Sequence, residues 1–221
     1  MLAPLLVLVA GLSAQQAIGT AMLGFVVPGA VALLTEGRPK YHAGKSVGRL
    51  LIATIPGAAA GATALAHLPQ RAALLVLALA VSFSGARLLL DHKFVPKRSG
   101  DDRQAKAGAM TGLVVGFFSA LTGTSGPLVL TPLLLAKGIP VTEAIVMGQL
   151  VQLPIAASAT FANLQTGTVQ VVTGLVIGAL MLPGVLLGAR LRTAIPVPLL
   201  ARFVGLMLIT AGVASFGKAF R

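Results

Sequence analysis

The chain has 221 residues, 56% of them hydrophobic and only 10% charged, with a mean hydropathy of +0.94; soluble domains carry roughly 25% charged residues, so this is the composition of an integral membrane protein. The net charge of +12 does not indicate nucleic acid, because Arg38, Lys40, Lys45 and Arg49 fall in one connection between apolar runs and Lys93, Lys97, Arg98, Arg103 and Lys106 in another, the positive-inside pattern of cytoplasmic loops. The absence of cysteine excludes disulfides, thiolate metal sites and thiol catalysis.

Apolar runs occupy residues 1–12, 16–35, 47–68, 72–90, 108–122, 127–136, 143–162, 169–190 and 198–216. All are predicted to be helical, since the alternative in a bilayer is a closed barrel of short alternating strands, and these runs are longer and do not alternate. No basic segment precedes the first run, so no cleavable signal peptide is predicted. Pro28, Pro56, Pro154 and Pro183 fall inside runs and are expected to kink or break them. Packing is the expected role of Pro56 and Pro183, while Pro28 and Pro154 are equally open to lining a pathway.

An internal repeat is visible at an offset of 127 residues. Pro56-Gly57 and Gly61-Ala62 fall on Pro183-Gly184 and Gly188-Ala189, Pro69 falls on Pro196, Gly85 on Gly212, Gly11 on Gly138, and Ala17-Ile18 on Ala144-Ile145. The reading is one membrane domain over residues 1–221, with repeat 1 at 1–90, a cytoplasmic linker at 91–107 and repeat 2 at 108–221. Met1 aligns near Val129, so nothing here corresponds to residues 108–128. Either this start lies inside a longer protein, or the molecule works with one hairpin and a remnant of the other.

Charge orients the halves. The connection from Glu36 to Arg49 is basic and reads as cytoplasmic, whereas its repeat partner, Asn163 to Thr168, is uncharged and reads as external. By the same rule His67 to Arg71 is outside, and the connection carrying Arg190, Arg192 and Arg202 is inside. The expected fold is therefore all-α: two inverted repeats, each of three spanning helices plus a broken, re-entrant helical hairpin, the first hairpin incomplete at the N-terminus. Glycines four apart, at 108, 112 and 116, 57 and 61, 174 and 178, and 184 and 188, predict close helix packing.

The two runs flanking Thr122-Gly123-Thr124-Ser125-Gly126-Pro127 are each shorter than the roughly 20 residues of a spanning helix. A break of this kind presents unpaired N–H groups and the positive end of a half-helix, with Pro127 suited to its first turn, and such an end holds an anion without a buried cation. The candidate substrate-binding residues are Thr122, Gly123, Thr124, Ser125 and Gly126, with Gln149 and Gln152 on one face of the next helix and Thr20 at the corresponding place in the first half. A cation held by carbonyls at the end of the preceding arm competes with this reading. Ser158 and Thr160 are expected to bond back to their own helix.

Enzyme signatures fail: Gly123-Thr124-Ser125-Gly126-Pro127 lacks the final glycine and preceding strand of a nucleophile elbow, and Gly44-Lys45-Ser46 lacks the glycine of a phosphate-binding loop. His42, His67 and His92 stand at separate segment ends, so no metal site, catalytic residue or cofactor is predicted. No acidic or basic residue occupies the middle of a predicted span.

The run from Gly112 through Gly123-Thr-Ser-Gly126-Pro to Pro132, then Glu143-Ala144 and Gly184-Val-Leu-Leu-Gly188-Ala-Arg190, resembles the TauE/SafE sulfite exporter family, also known as TSUP or YfcA-like permeases. The resemblance covers nearly the whole chain; Thr124 and Ser125 stand where that family usually has glycines. It implies a multi-pass permease of the bacterial inner membrane that moves sulfite, an organosulfonate or another small anion, with coupling to the proton gradient. The alternatives are a non-transporting membrane subunit or assembly factor, and a permease for a cation or neutral solute. The oligomeric state stays open.

Overall fold

The computed structural model describes residues 2–35, 45–90, 108–136, 139, 141–191, 206–207 and 209–217. Among them every regular element is a helix: α1 (Leu2–Leu8), α2 (Ala14–Thr35), α3 (Lys45–His67), α4 (Gln70–Leu90), α5 (Ala109–Thr122), α6 (Gly126–Ala136), α7 (Val141–Gln165) and α8 (Val171–Leu191), followed by helical residues 206–207 and 209–217. The basic connections at 36–44 and 91–107, with His42 and His92, and the arginines Arg192 and Arg202 lie outside the described residues.

Three helices are long and apolar enough to cross a bilayer, through Ala14–Val31, Val47–His67 and Glu143–Gln165. Helices α4 and α8 have 21 residues each, which at 1.5 Å per residue is about 31 Å, close to the hydrocarbon thickness. At 14 residues α5 rises only about 21 Å, too little to span alone.

The first run is shorter than predicted, because α1 stops at Leu8 and the chain turns through Gly11 at φ 66°. The turn ends in a capping box. Ser13 Oγ accepts the Gln16 N–H at 3.2 Å while Gln16 Oε1 accepts the Ser13 N–H at 3.4 Å, so orphan donors at the start of α2 are satisfied reciprocally.

None of the four prolines breaks its helix: α2, α3, α7 and α8 run uninterrupted through Pro28, Pro56, Pro154 and Pro183. Pro28 releases the carbonyl four residues earlier, on Gly24, and that carbonyl faces α8, where a side chain built on Gly178 would lie 3.5 Å from it.

Glycine contacts define how the helices run. A Cβ on Gly57 or Gly61 of α3 would strike the carbonyls of Leu113 and Phe117 on α5, and one on Gly112 or Gly116 of α5 would strike the carbonyls of Leu50 and Thr54 on α3. Contacts advance together along both helices, so α5 lies parallel to α3, backbone against backbone. Helix α8 packs parallel to α2 in the same way, Gly174 on Leu23 and Gly178 on Val27. Helix α7 runs antiparallel to α2: Gly29 meets the Leu153 backbone, while Gly19 meets Thr168 just beyond the end of α7.

These directions put residues 9–13, 68–69 and 166–170 at one end of the molecule. Gln15 Nε2 donates to the Leu68 carbonyl at 2.9 Å, and the Gln170 N–H donates to Thr20 Oγ1 at 3.0 Å. The buried interior is almost wholly apolar, with Ile18, Met22, Leu50, Leu77, Leu130 and Ile155 among its fully enclosed side chains.

Candidate functional site

The sequence breaks the helix at Gly123 for a local reason. Helix α5 ends at Thr122, and Gly123 takes the left-handed conformation, φ 64° and ψ 19°, which costs a side-chain-bearing residue roughly 1–2 kcal/mol. The space forbids a side chain as well, because a Cβ on Gly123 would lie 2.8 Å from Ile18 Cγ1 and 3.2 Å from Ala3 Cβ. The tip of the α5–α6 hairpin is thereby pressed against the beginnings of α1 and α2.

Hydroxyls organise the tip. Thr122 Oγ1 donates to the Phe118 carbonyl at 2.6 Å, and the Thr122 and Thr124 hydroxyls lie 2.8 Å apart, both threonines being buried. Helix α6 then starts, with Leu128 N–H donating to the Ser125 carbonyl at 3.0 Å. Among the described residues, no backbone acceptor is found for the N–H groups of Thr124, Ser125 and Gly126. Orphan donors at a helix start present partial positive charge.

The second wall is α7. A Cβ on Gly126 would meet Val151 Cγ2 at 2.9 Å, Ile155 Cδ1 at 3.1 Å and the Gln152 backbone nitrogen at 3.5 Å. One turn down, Gly148 receives Pro127 and Thr131 in the same manner, so α6 descends antiparallel along α7. Of the predicted residues, Thr122, Gly123, Thr124, Ser125 and Gly126 form the tip, buried except for the half-buried Ser125, and Gln152 is buried beside it. Gln149 lies one turn earlier on α7 and is half-buried. Thr20 stands apart, its hydroxyl oxygen engaged by the Gln170 N–H.

Two sequence expectations are corrected. Ser158 does not bond to its own helix: its hydroxyl donates across to the Ile55 carbonyl of α3 at 2.7 Å. Thr160 Oγ1 does not bond back either; it is buried with no hydrogen-bond partner among the described residues. Thr54 and Thr122 do follow the expected pattern, donating to Leu51 and Phe118 one turn earlier. The capping residue Ser13 was findable from its Ser-x-x-Gln spacing; the Ser158 bond carried no sequence signal.

A cleft of about 650 Å³ lies away from this break, between the end of α1, the start of α4 and residues 214–217, lined by Val7, Gly11, Leu12, Gln70 and Leu74. Gln70 is the one polar side chain among its described lining residues, and none of them is basic.

Searches of the curated proteins and of the solved structures found no match. A family model described as "Sulfite exporter TauE/SafE" matches residues 1–215. With the match covering nearly the whole of an all-helical, apolar chain, the protein belongs to the TauE/SafE sulfite exporter family of membrane transporters.

Proposed function

We propose that the protein is a secondary permease of the bacterial inner membrane that carries a small sulfur-containing anion, sulfite or an organosulfonate, and binds it at the Thr122–Gly126 tip. The observation that carries this reading is the buried tip itself: three successive N–H groups for which the described residues offer no backbone acceptor, and two buried hydroxyls. Gln149 and Gln152 supply amide donors from α7, and Thr20 keeps the 166–170 connection against α2.

The reading includes an inverted repeat. In support of it, α2 begins at Ala14 and α7 at Val141, 127 residues on, while α3 begins at Lys45 and α8 at Val171, 126 residues on. The corresponding helices α2 and α7 run antiparallel, and the α2–α8 packing has its counterpart in α7 against α3. The α5–α6 hairpin fits a re-entrant path, since α5 runs with α3 and α6 runs back along α7.

The test is sulfite or sulfonate efflux from cells or proteoliposomes carrying Gly126→Leu. Its side chain would enter the space between the tip and Val151, Gln152 and Ile155, and efflux is expected to stop while membrane insertion persists; unchanged efflux sinks the site. A thermal-shift panel of sulfite, sulfate, thiosulfate, sulfoacetate, taurine and simple carboxylates ranks substrates. A second reading, a non-transporting membrane subunit, draws on the Gly184 face of α8, where no atom of the described residues lies within 4 Å of a built Cβ. Proteoliposomes of the purified chain that accumulate no anion of the panel favour it.

A further inference from the structure

Helix α7 carries a row of polar side chains with unused hydrogen-bonding capacity. Gln152, Thr160 and Asn163 are 7%, 6% and 0% exposed. Thr160 Oγ1 and Asn163 Nδ2 have no partner, and Gln152 makes no side-chain hydrogen bond, among the described residues. Spacings of eight and eleven residues from Gln152 put all three on adjoining positions of one helix face. Between them stand Ala156 and Ala159, 1% and 0% exposed, so the face is low as well as polar.

The face has a direction. It begins where Gln152 adjoins Gly126 at the hairpin tip and climbs about 16 Å over eleven residues to Asn163, whose carbonyl accepts the Thr168 N–H at 3.0 Å at the end of the molecule. Thr160 lies two turns beyond Leu153, on the flank where α7 meets Gly29 of α2. Off α7, the buried hydroxyls of Thr54, Thr122 and Ser215 each donate to a carbonyl, while Ser119 Oγ on α5 is the other buried hydroxyl without a partner among the described residues. Leaving donors unmade in an apolar interior is costly, and several on one low face are what a path for water and a solvated solute requires.

The geometry points to a hydrated lane along α7, from the Gly123–Gly126 tip to the 166–170 end, through which a small oxyanion passes by way of neutral donors on Gln152, Thr160 and Asn163. Neutral, successive donors suit passage, since each binds weakly enough to release. The lane rests on the reading of the tip as the anion site, and the two fail separately in the following experiment.

The chain has no cysteine, so single cysteines at Ala156, Ala159 and Thr160 can be challenged in membranes with methanethiosulfonate ethylsulfonate, an anionic reagent whose sulfur is attacked by the hydrated thiolate to form a mixed disulfide with loss of methanesulfinate, so that its rate reports water. Ala58→Cys, in the dry seam against Gly116, is the control. The lane predicts modification roughly tenfold or more faster at the three α7 positions than at residue 58, slowed by added sulfoacetate, an organosulfonate that does not react with the reagent. Equal, slow modification at all four overturns the lane even if Gly126→Leu abolishes efflux. Fast modification combined with unchanged efflux in Gly126→Leu keeps the lane and removes the tip as the site. Thr160→Val, which deletes only a hydroxyl, is expected to leave thermal unfolding unchanged or raised while efflux falls about tenfold, the worth of one hydrogen bond; unchanged efflux counts against the lane.

Discussion

Helices α3 and α8 carry the same phrase, Pro56-Gly57 with Gly61 and Pro183-Gly184 with Gly188, and put it to opposite use. On α3 the glycines are buried under the backbone of α5, so close that neither tolerates a Cβ in place. On α8, Gly184 is exposed, with no atom of the described residues within 4 Å of a built Cβ, amid exposed Leu180, Leu182 and Leu187. Glycines four apart permit close approach; whether a helix makes that approach depends on a partner, and α5 has no counterpart against α8 among the described residues. The two faces therefore differ in what they demand of the sequence, although the sequence itself is nearly the same.

Substitution can break that comparison. Gly61→Leu should do the most, driving a branched side chain into the Phe117 backbone and costing about 3 kcal/mol or more, read as a large fall in the unfolding temperature in detergent or as loss of folded protein. Gly123→Ala tests whether the tip of the hairpin, as well as its length, seats α5. Left-handed strain of roughly 1–2 kcal/mol and the approach to Ile18 should lower stability and efflux together.

Ser158→Ala sharpens the comparison on its other side. Ser158 ties α7 to α3, whereas its repeat equivalent, Val31 of α2, has no hydroxyl to offer α8. Its removal should cost about 0.6–1 kcal/mol, measurable by steric-trap or denaturant unfolding. Gly184→Leu closes the series, with a change within about 0.5 kcal/mol. A loss as large as that of Gly61→Leu would mean that the α8 face is covered in the membrane.

The membrane class, the break at 122–126 and the glycine faces of α3 and α5, though not their pairing, were legible in the sequence, because each rests on composition or on spacing within one segment. Gly112 and Gly116 mark the packing face of α5 as plainly as Gly57 and Gly61 mark that of α3. Features that depend on a second element were not legible. Pro28 leaves α2 unbroken, with α8 packed at the carbonyl it frees, Ser158 reaches Ile55 because α3 passes beside α7, and Thr20 accepts from Gln170 across 150 residues. The equivalence of Gly57 and Gly184 misled for the same reason, since their difference lies in a neighbour and not in themselves.

Among the described residues, three glycines adopt positive φ: Gly11, Gly123 and Gly167. At Gly11 and Gly167 the space beside the α-carbon is open, and asparagine, which tolerates the left-handed region, can stand in. At Gly123 the same dihedral is enclosed by Ile18 and Ala3, so no coded side chain meets both conditions. A library randomised at the three turns should return variety at two of them and glycine alone at the third, which makes position 123 the least free of these three turns.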